Sequence, residues 1–212
     1  MSNYPVVLAN LKNGVLVIGG GEVAARRVEG LLAAGARVIV ISPQLSPGLE
    51  GLAARGRITV LRRAYQPGDL AGARLAIACT DDPQVNQAVY QEAQEHNVLI
   101  NSVDNPAHCT FHVPAVVRRG LVSIAISTEG ASPALAARLR KDIAAAVGPE
   151  YGRLAALLAA YRPWMQAHVP QANRRKALWQ EMVDALLPLL REGQEAAARQ
   201  EAEAILRRAA EG

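Results

Sequence analysis

The sequence predicts an α/β fold, in which a parallel-sheet domain is followed by a small β-rich segment and a helical C-terminal domain. Three observations predict it. The run Val15-Leu16-Val17-Ile18 breaks into Gly19-Gly20-Gly21 and then into the helical spacing of Val23, Ala24, Val28, Leu31 and Leu32, giving a strand, a tight turn and a helix. Up to about residue 100, short apolar runs alternate with helical stretches, the order of βαβ units sharing one parallel sheet. Beyond Gly148-Pro149 only helical patterns remain. The expected organisation is a Rossmann-type nucleotide-binding domain over 1–112, a β-hairpin and helix over 113–148, and helices over 149–212.

The glycine loop carries the first chemical expectation. In a dinucleotide-binding fingerprint the first glycine makes the turn, the second lets backbone approach a pyrophosphate, and a third small residue lets helix pack on strand. Gly19, Gly21 and Ala24 hold those places. The unpaired N–H groups at the helix start, with the positive end of its dipole, suit an anion. Gly19, Gly20, Gly21, Glu22 and Val23 are therefore candidate cofactor contacts; the bland alternative is a purely structural turn.

The remaining elements follow in order. Val6 to Ala9 is expected as a short edge strand, and Lys12-Asn13-Gly14 as the turn into the first sheet strand. Gly35 ends the first helix as a left-handed cap, and Val38 to Ile41 is a second buried strand. Where an NAD fingerprint usually has an acid for the ribose hydroxyls, this chain has Ser42-Pro43-Gln44, whose hydroxyl and backbone must serve instead. No arginine follows immediately for a 2′-phosphate, which favours NAD over NADP. Leu49 to Ala54 reads as a short helix, Ile58 to Leu61 as a third strand and Leu75 to Cys79 as a fourth. Asp82 is an N-cap ahead of Pro83. Thr80 and Asp81 then fall at a strand's carboxyl end beside the glycine loop, where open α/β sheets bind ligands, although plain turn residues look the same.

Val98 to Ile100 is the fifth strand and runs into Asn101-Ser102-Val103-Asp104-Asn105-Pro106. Phe111 to Val117 and Leu121 to Ser127 read as a hairpin around Arg118-Arg119-Gly120. Ser132 and Pro133 open a helix through about Ala146. Helices are expected over Tyr151 to Ala167, Asn173 to Leu190 and Gln194 to Ala210, punctuated by Pro163, Pro170 and Gly193; the last helix is polar and prone to fray.

Composition bounds the function classes. Half of the 212 residues are hydrophobic but only 4% are aromatic, so the core must be aliphatic and alanine-rich. The 23 basic residues exceed the 19 acidic ones without any basic run interleaved with aromatics, so a small anionic ligand uses the surplus better than nucleic acid does. No stretch approaches the roughly 18 to 20 apolar residues of a membrane span, and the N-terminus lacks a signal-peptide pattern. Cys79 and Cys109 lack CxxC spacing. A soluble, cytoplasmic protein with free thiols, without membrane or nucleic-acid partners, is expected.

Several stretches together resemble the siroheme synthase family, in particular its precorrin-2 dehydrogenase and sirohydrochlorin ferrochelatase module. They are Gly19 to Ala24, Ala76 to Asp82 with Val85-Asn86, Asn101 to Asp104, Phe111 to Pro114, and Ser127 to Pro133. The resemblance implies NAD-dependent oxidation of precorrin-2 to sirohydrochlorin, in some members followed by insertion of ferrous iron as a further substrate. It also implies a homodimer, with the β-rich segment over 113–148, as a dimerisation segment, and the helical tail forming the interface. A chain of this length leaves no room for the methyltransferase domain some members carry, so a stand-alone module is expected. The family's key acid matches Asp104; its place after a strand end makes it a plausible base for the proton lost on oxidation, against a bland role bracing the Asn105-Pro106 turn. Asn101 and Val103 join the cofactor set with Ser42, Pro43, Gln44, Thr80 and Asp81. Ser127, Thr128, Gly130, Ser132 and Arg138 are the expected substrate contacts. Arg118, Arg119, Arg140 and Lys141 are further candidates for the tetrapyrrole's carboxylates, each also readable as a solvated surface residue.

His108 and His112 with Cys109 are the tempting metal ligands, but their spacing is not that of a structural zinc site and structural or solvent-facing histidines are the expectation. No metal site is assigned. The competing reading of the whole chain is a Rossmann-type NAD-binding regulatory or sensor module without catalysis.

Overall fold

Val15–Ile18 forms β1 with every side chain buried, the pattern of a strand covered by helices on both faces. The computed structural model describes residues 3–103 and 105–211. These fall into two units, Asn3–Val113 and a second beginning at Pro114. In the first unit β1 is joined by β2 (Val38–Ile41), β3 (Thr59–Leu61), β4 (Leu75–Ala78) and β5 (Leu99–Ser102) in the order β3-β2-β1-β4-β5. All neighbours are parallel. The sheet grows in one direction through β3 and then restarts on the other side of β1, so the topological switch lies between β1 and β4. The register sets Ile41, Ile18, Ala78 and Ser102 in one row at the carboxyl ends.

Alternate strand residues feed two cores. Val15, Val17, Val38, Val40 and Ile77 pack with Ala24, Ala25 and Val28 of α1 (Glu22–Ala33) and Leu49 of α2 (Pro47–Ala54). Leu16, Ile18, Ala76, Ala78 and Ile100 pack with Val89 and Ala93 of α3 (Pro83–Glu95). Gly35, at φ +73°, follows the α1 C-cap as expected. The long connection from β3 to β4 is tied to α3 by Glu92, which is 6% exposed and accepts from the Leu70 N–H at 2.7 Å and from the Tyr65 hydroxyl. Burial, then the bond to Glu92, pushes the Tyr65 phenol well above its ordinary range.

Three expectations need correction. Val6 to Ala9 forms no strand; Leu11 O accepts from Arg37 N ahead of β2, which brings the N-terminal segment in at the amino ends of the strands and away from either sheet edge. The fifth strand is Leu99–Ser102 because its ladder continues until Ser102 meets Ala78. The hairpin turn is Gly120-Leu121, with Arg118 and Arg119 inside β6 (Ala115–Arg119), which pairs with β7 (Val122–Ile126). The left-handed Gly120, at φ +54°, suits this two-residue turn. The Arg119 guanidinium holds the strand extended by donating to Ala144 O and Val147 O at the end of α4 (Pro133–Ala146).

The second unit continues with α5 (Pro149–His168), α6 (Ala172–Arg191) and α7 (Glu195–Glu211), and Pro163 lies inside α5 rather than ending it. Met165, Met182, Leu186 and Leu190 form their core with Ala198, Ala202, Ile205 and Leu206. The alanines let α7 approach closely, so packing holds a helix whose composition alone suggests fraying. Among the described residues no helix is long and apolar enough to cross a membrane.

The hairpin meets α5 backbone to backbone: a Cβ at Gly152 would lie 2.6 Å from Arg119 O and 2.7 Å from Arg119 C. Helix propensity favours alanine over glycine by about 1 kcal/mol, whereas forcing a methyl against backbone costs about 1–3 kcal/mol. Gly152→Ala is therefore expected to lower stability in chemical denaturation; a gain would show that the hairpin and helix separate without cost.

Candidate functional site at the carboxyl edge of the sheet

The site is built where the level row of strand ends turns into loops. Gly19 leaves β1 at φ +124°, a conformation open to glycine and strained for other residues, and a Cβ there would collide with Cys79 O after β4. A Cβ at Gly20 would collide with Gln44 O and Ser42 Oγ after β2. Gly20 O in turn accepts from Ser46 N at 2.7 Å. The glycine loop is thus wedged between the ends of β2 and β4, backbone against backbone. Gly21 differs, since a Cβ there would meet no protein atom within 4 Å.

Gly21 is the N-cap of α1, and no side chain caps that helix. Asp82 accepts from Gln84 N at 2.8 Å in α3, and Ser132 Oγ accepts from Leu135 N at 3.1 Å in α4, whereas α2, α5 and α6 begin, like α1, without a side-chain cap; what sets α1 apart is its glycine N-cap at the sheet's carboxyl edge. An uncapped first turn behind an open glycine leaves helix N–H groups and the positive dipole end for an external anion. Glu22 and Val23 occupy that first turn. The arrangement fits a pyrophosphate.

The loops beside it spend most of their polar groups on themselves, although Ser46 Oγ after β2 has no hydrogen-bond partner among the described residues. Ser42, 8% exposed, donates from Oγ to Gln44 O at 2.6 Å, and Pro43 lies between them. Thr80 is locked by Asn86, whose Nδ2 donates to Thr80 O at 2.9 Å and whose Oδ1 lies 3.0 Å from Thr80 Oγ1. Asp81 is exposed in that turn. Asn101 and Ser102, at the end of β5, are buried, and Asn101 Oδ1 and Ser102 Oγ have no hydrogen-bond partner among the described residues. Val103 N continues the ladder to Ala78 O. Asp104, the expected base, lies outside the described residues.

After β5 the chain doubles back along its open edge. Ile100 N donates to Thr110 Oγ1 at 2.8 Å and Thr110 N to Ile100 O at 2.8 Å. Asn101 Nδ2 donates to Phe111 O at 3.1 Å. His108 stacks on Tyr90 of α3 with ring centroids 4.3 Å apart, so it serves as a structural anchor, while His112 is exposed. Among the described residues no three His, Cys, Asp or Glu side chains gather as a metal site would require.

The expected substrate contacts form their own cluster in the second unit. Ser127 Oγ accepts from Glu129 N at 3.2 Å, Thr128 Oγ1 bonds the Ser132 backbone, and Gly130 turns at φ +81°. Arg138 pairs with Asp142 at 2.9 Å on the surface of α4. Arg119 is spent on helix carbonyls, whereas Arg118, Arg140 and Lys141 border a cavity of about 400 Å³ floored by Val116, Ala137 and Ala144. Sequence reasoning missed Asn86 as the lock on Thr80, although an amide four residues after the N-cap Asp82 was a usable signal. It also missed the part played by Cys109, for which no sequence signal existed.

Comparison with known proteins covers nearly the whole chain. Residues 7–115 match a family model described as "Putative NAD(P)-binding", residues 119–146 one described as sirohaem biosynthesis protein central, and residues 150–206 one described as sirohaem synthase dimerisation region. A siroheme synthase of Methylobacillus flagellatus is 40% identical over 207 residues, covering 97% of this chain and 44% of that protein. A siroheme synthase of Chromobacterium violaceum is 37% identical over 204 residues, covering 96% and 43%. The chain thus spans less than half the length of these relatives. The solved structure of SirC, a precorrin-2 dehydrogenase, superposes with a TM-score of 0.77 at 28% identity, covering 95% of this chain and all of that one.

The two glycines separate by substitution. Gly20→Ala is expected to destabilise by about 1–3 kcal/mol through backbone collision. Gly21→Ala should stay within about 0.5 kcal/mol of wild type, since the weaker cap is offset by reduced unfolded-chain entropy. Equal losses in denaturation would show that the loop is not wedged as described.

Proposed function

This chain belongs to the siroheme synthase family, and from that premise we propose that it oxidises precorrin-2 to sirohydrochlorin with NAD, as a homodimer. The observation that carries the reading is the uncapped α1 N-terminus behind Gly21, set in the same row of strand ends as the buried polar residues Asn101 and Ser102. When bound, NAD supplies the hydride acceptor. The chain's part is to hold the pyrophosphate on the first turn of α1 and to take the ribose at Ser42 to Gln44, while Thr80, Asp81, Asn101 and Val103 contribute at the neighbouring strand ends. Asp104 takes the proton that leaves the tetrapyrrole as its hydride departs. The choice of NAD over NADP rests on the absence of an arginine directly after β2.

The substrate's acetate and propionate groups are assigned to Ser127, Thr128, Gly130, Ser132 and Arg138, with Arg118, Arg140 and Lys141 as supporting cations. The exposed Arg138–Asp142 pair contributes at most a few tenths of a kcal/mol, roughly 0.3–0.5 for such helical pairs, so a substrate carboxylate can displace it. Leu121, Leu135 and Leu139 are 68%, 49% and 37% exposed, and α4 has no buried residue. A second copy of this chain is the proposed cover for that apolar surface. The relatives' name favours a second step, in which ferrous iron enters sirohydrochlorin as substrate and Asp104 receives pyrrole protons. Iron insertion no faster than the uncatalysed rate removes that step.

Purified protein given NAD and precorrin-2 should yield NADH and sirohydrochlorin absorbance, and absence of turnover overturns the proposal. Asp104→Asn should lower turnover by about 100-fold or more while leaving the NAD dissociation constant within about twofold, read by NADH fluorescence. Gly21→Ala should fold yet bind NAD about tenfold more weakly, a loss of about 1.4 kcal/mol. NAD binding without any tetrapyrrole binding would favour the sensor reading instead.

A further inference from the structure

Cys109 is half-buried, and its sulfur is the meeting point of the segment around position 104. Ser102 N donates to Sγ at 3.3 Å and Asn101 Nδ2 at 3.5 Å. The thiol proton has two carbonyls in reach, Ser102 O at 3.2 Å and Asn105 O at 3.4 Å. Ser102 and Asn105 flank Asp104 in the sequence. One side chain therefore grips the main chain on both sides of the proposed base and, through Nδ2, the orientation of the Asn101 amide.

The grip is rigid because its neighbours are fixed independently. His108 is stacked on Tyr90, and Thr110 is paired with Ile100 in both directions. With Nδ2 committed to Phe111 O and Cys109, the Asn101 amide has one orientation, and its Oδ1 stays an acceptor without a donor. Ser102 Oγ, on a residue 2% exposed, is likewise unpartnered among the described residues. Buried polar atoms are nearly always satisfied, so an orphaned pair on the two residues the thiol holds marks this edge as the place where a bound molecule completes the network.

We infer that Cys109 is a positioning residue for the dehydrogenation, fixing the backbone on either side of Asp104 and the Asn101 amide. The inference rests on the dehydrogenase reading with Asp104 as base. The thiol is neither nucleophile nor redox group in it; no bond to sulfur forms or breaks. Its effect acts through geometry, where small misplacements of a reacting group are expensive in rate.

The test compares Cys109→Ala and Cys109→Ser in the full chain by melting, NADH-fluorescence titration and turnover of precorrin-2 with NAD across pH. Serine keeps a donor and an acceptor at the same place, whereas alanine keeps neither. Cys109→Ala is expected to lower kcat by about ten- to hundredfold, to shift the acid limb of its pH profile, and to leave the NAD dissociation constant within about twofold. Cys109→Ser should recover most of the rate and restore the pH limb. Wild-type kcat and pH profile in Cys109→Ala overturn the inference, as does an equal loss in both variants accompanied by weakened NAD binding. If the alanine variant does not fold, the serine variant decides, and a serine rate as low as that of Asp104→Asn counts against the inference. Asp104→Asn separates the two levels: full turnover in that variant removes the base and the positioning role together. An inactive Asp104→Asn beside a wild-type Cys109→Ala removes only the positioning role.

Discussion

The first unit depends on one close approach, the passage of Gly19 and Gly20 between the ends of β2 and β4 with no side chain in the gap. Gly19 is pressed against Cys79 O and Gly20 against Gln44 O. At that separation van der Waals contact is made by peptide groups themselves, and even one methyl has no room. The wedge aligns the loops with the level row Ile41, Ile18, Ala78 and Ser102 and sets α1 starting directly beyond β1. The proposed anion site is then a by-product of packing: a helix brought this tightly onto a strand presents its uncapped N–H groups at the switch point.

The rest of the edge is organised by how each loop disposes of its polar groups. After β2, Ser42 satisfies Gln44 O; after β4, Asn86 satisfies Thr80. After β5 the returning segment covers an otherwise open strand edge, a protection that exposed edges generally need. There Asn101 Oδ1 and Ser102 Oγ have no partner among the described residues, and the same holds for Ser46 Oγ after β2. Unspent polar capacity at this edge therefore lies at the ends of β2 and β5.

Much of this was legible in the sequence, and what was not has physical reasons. The strands were readable because all-buried parallel strands are continuous aliphatic runs, as Val15–Ile18 and Leu75–Ala78 are. Helix starts were readable because Asp82-Pro83 and Ser132-Pro133 combine a side-chain acceptor with a residue lacking an N–H. Val6 to Ala9 misled because a short apolar run says nothing of whether a sheet edge is in reach; Val6 and Val7 are 64% and 94% exposed. The hairpin turn was displaced by two residues because Arg119 is held by carbonyls of α4, a tertiary bond that local pattern cannot carry. The last helix was undervalued because alanine contributes through close approach rather than through its own hydrophobicity. At the candidate site, motif pointed to the glycines and strand-end polar residues that are proposed as cofactor contacts, while nothing pointed to the grip of Cys109, since a lone cysteine has no spacing to betray it.

The missing acid after β2 is explained by the same close approach. In the usual fingerprint a carboxylate at that strand end receives the ribose hydroxyls, but here the loop folds so that Gln44 O presses on Gly20 and must be satisfied by the side chain at position 42. A carboxylate there carries no proton to donate and would set negative charge against the carbonyl oxygen 2.6 Å from the present hydroxyl. The seryl hydroxyl donates instead, and it keeps lone pairs free to accept. Serine at 42 thus suits the packing of the glycine loop, and in the proposed NAD site the remaining lone pairs of that hydroxyl and the backbone of Pro43 and Gln44 are left to meet the ribose. A departure that weakens a motif read residue by residue is, in the folded chain, part of what holds that motif in shape.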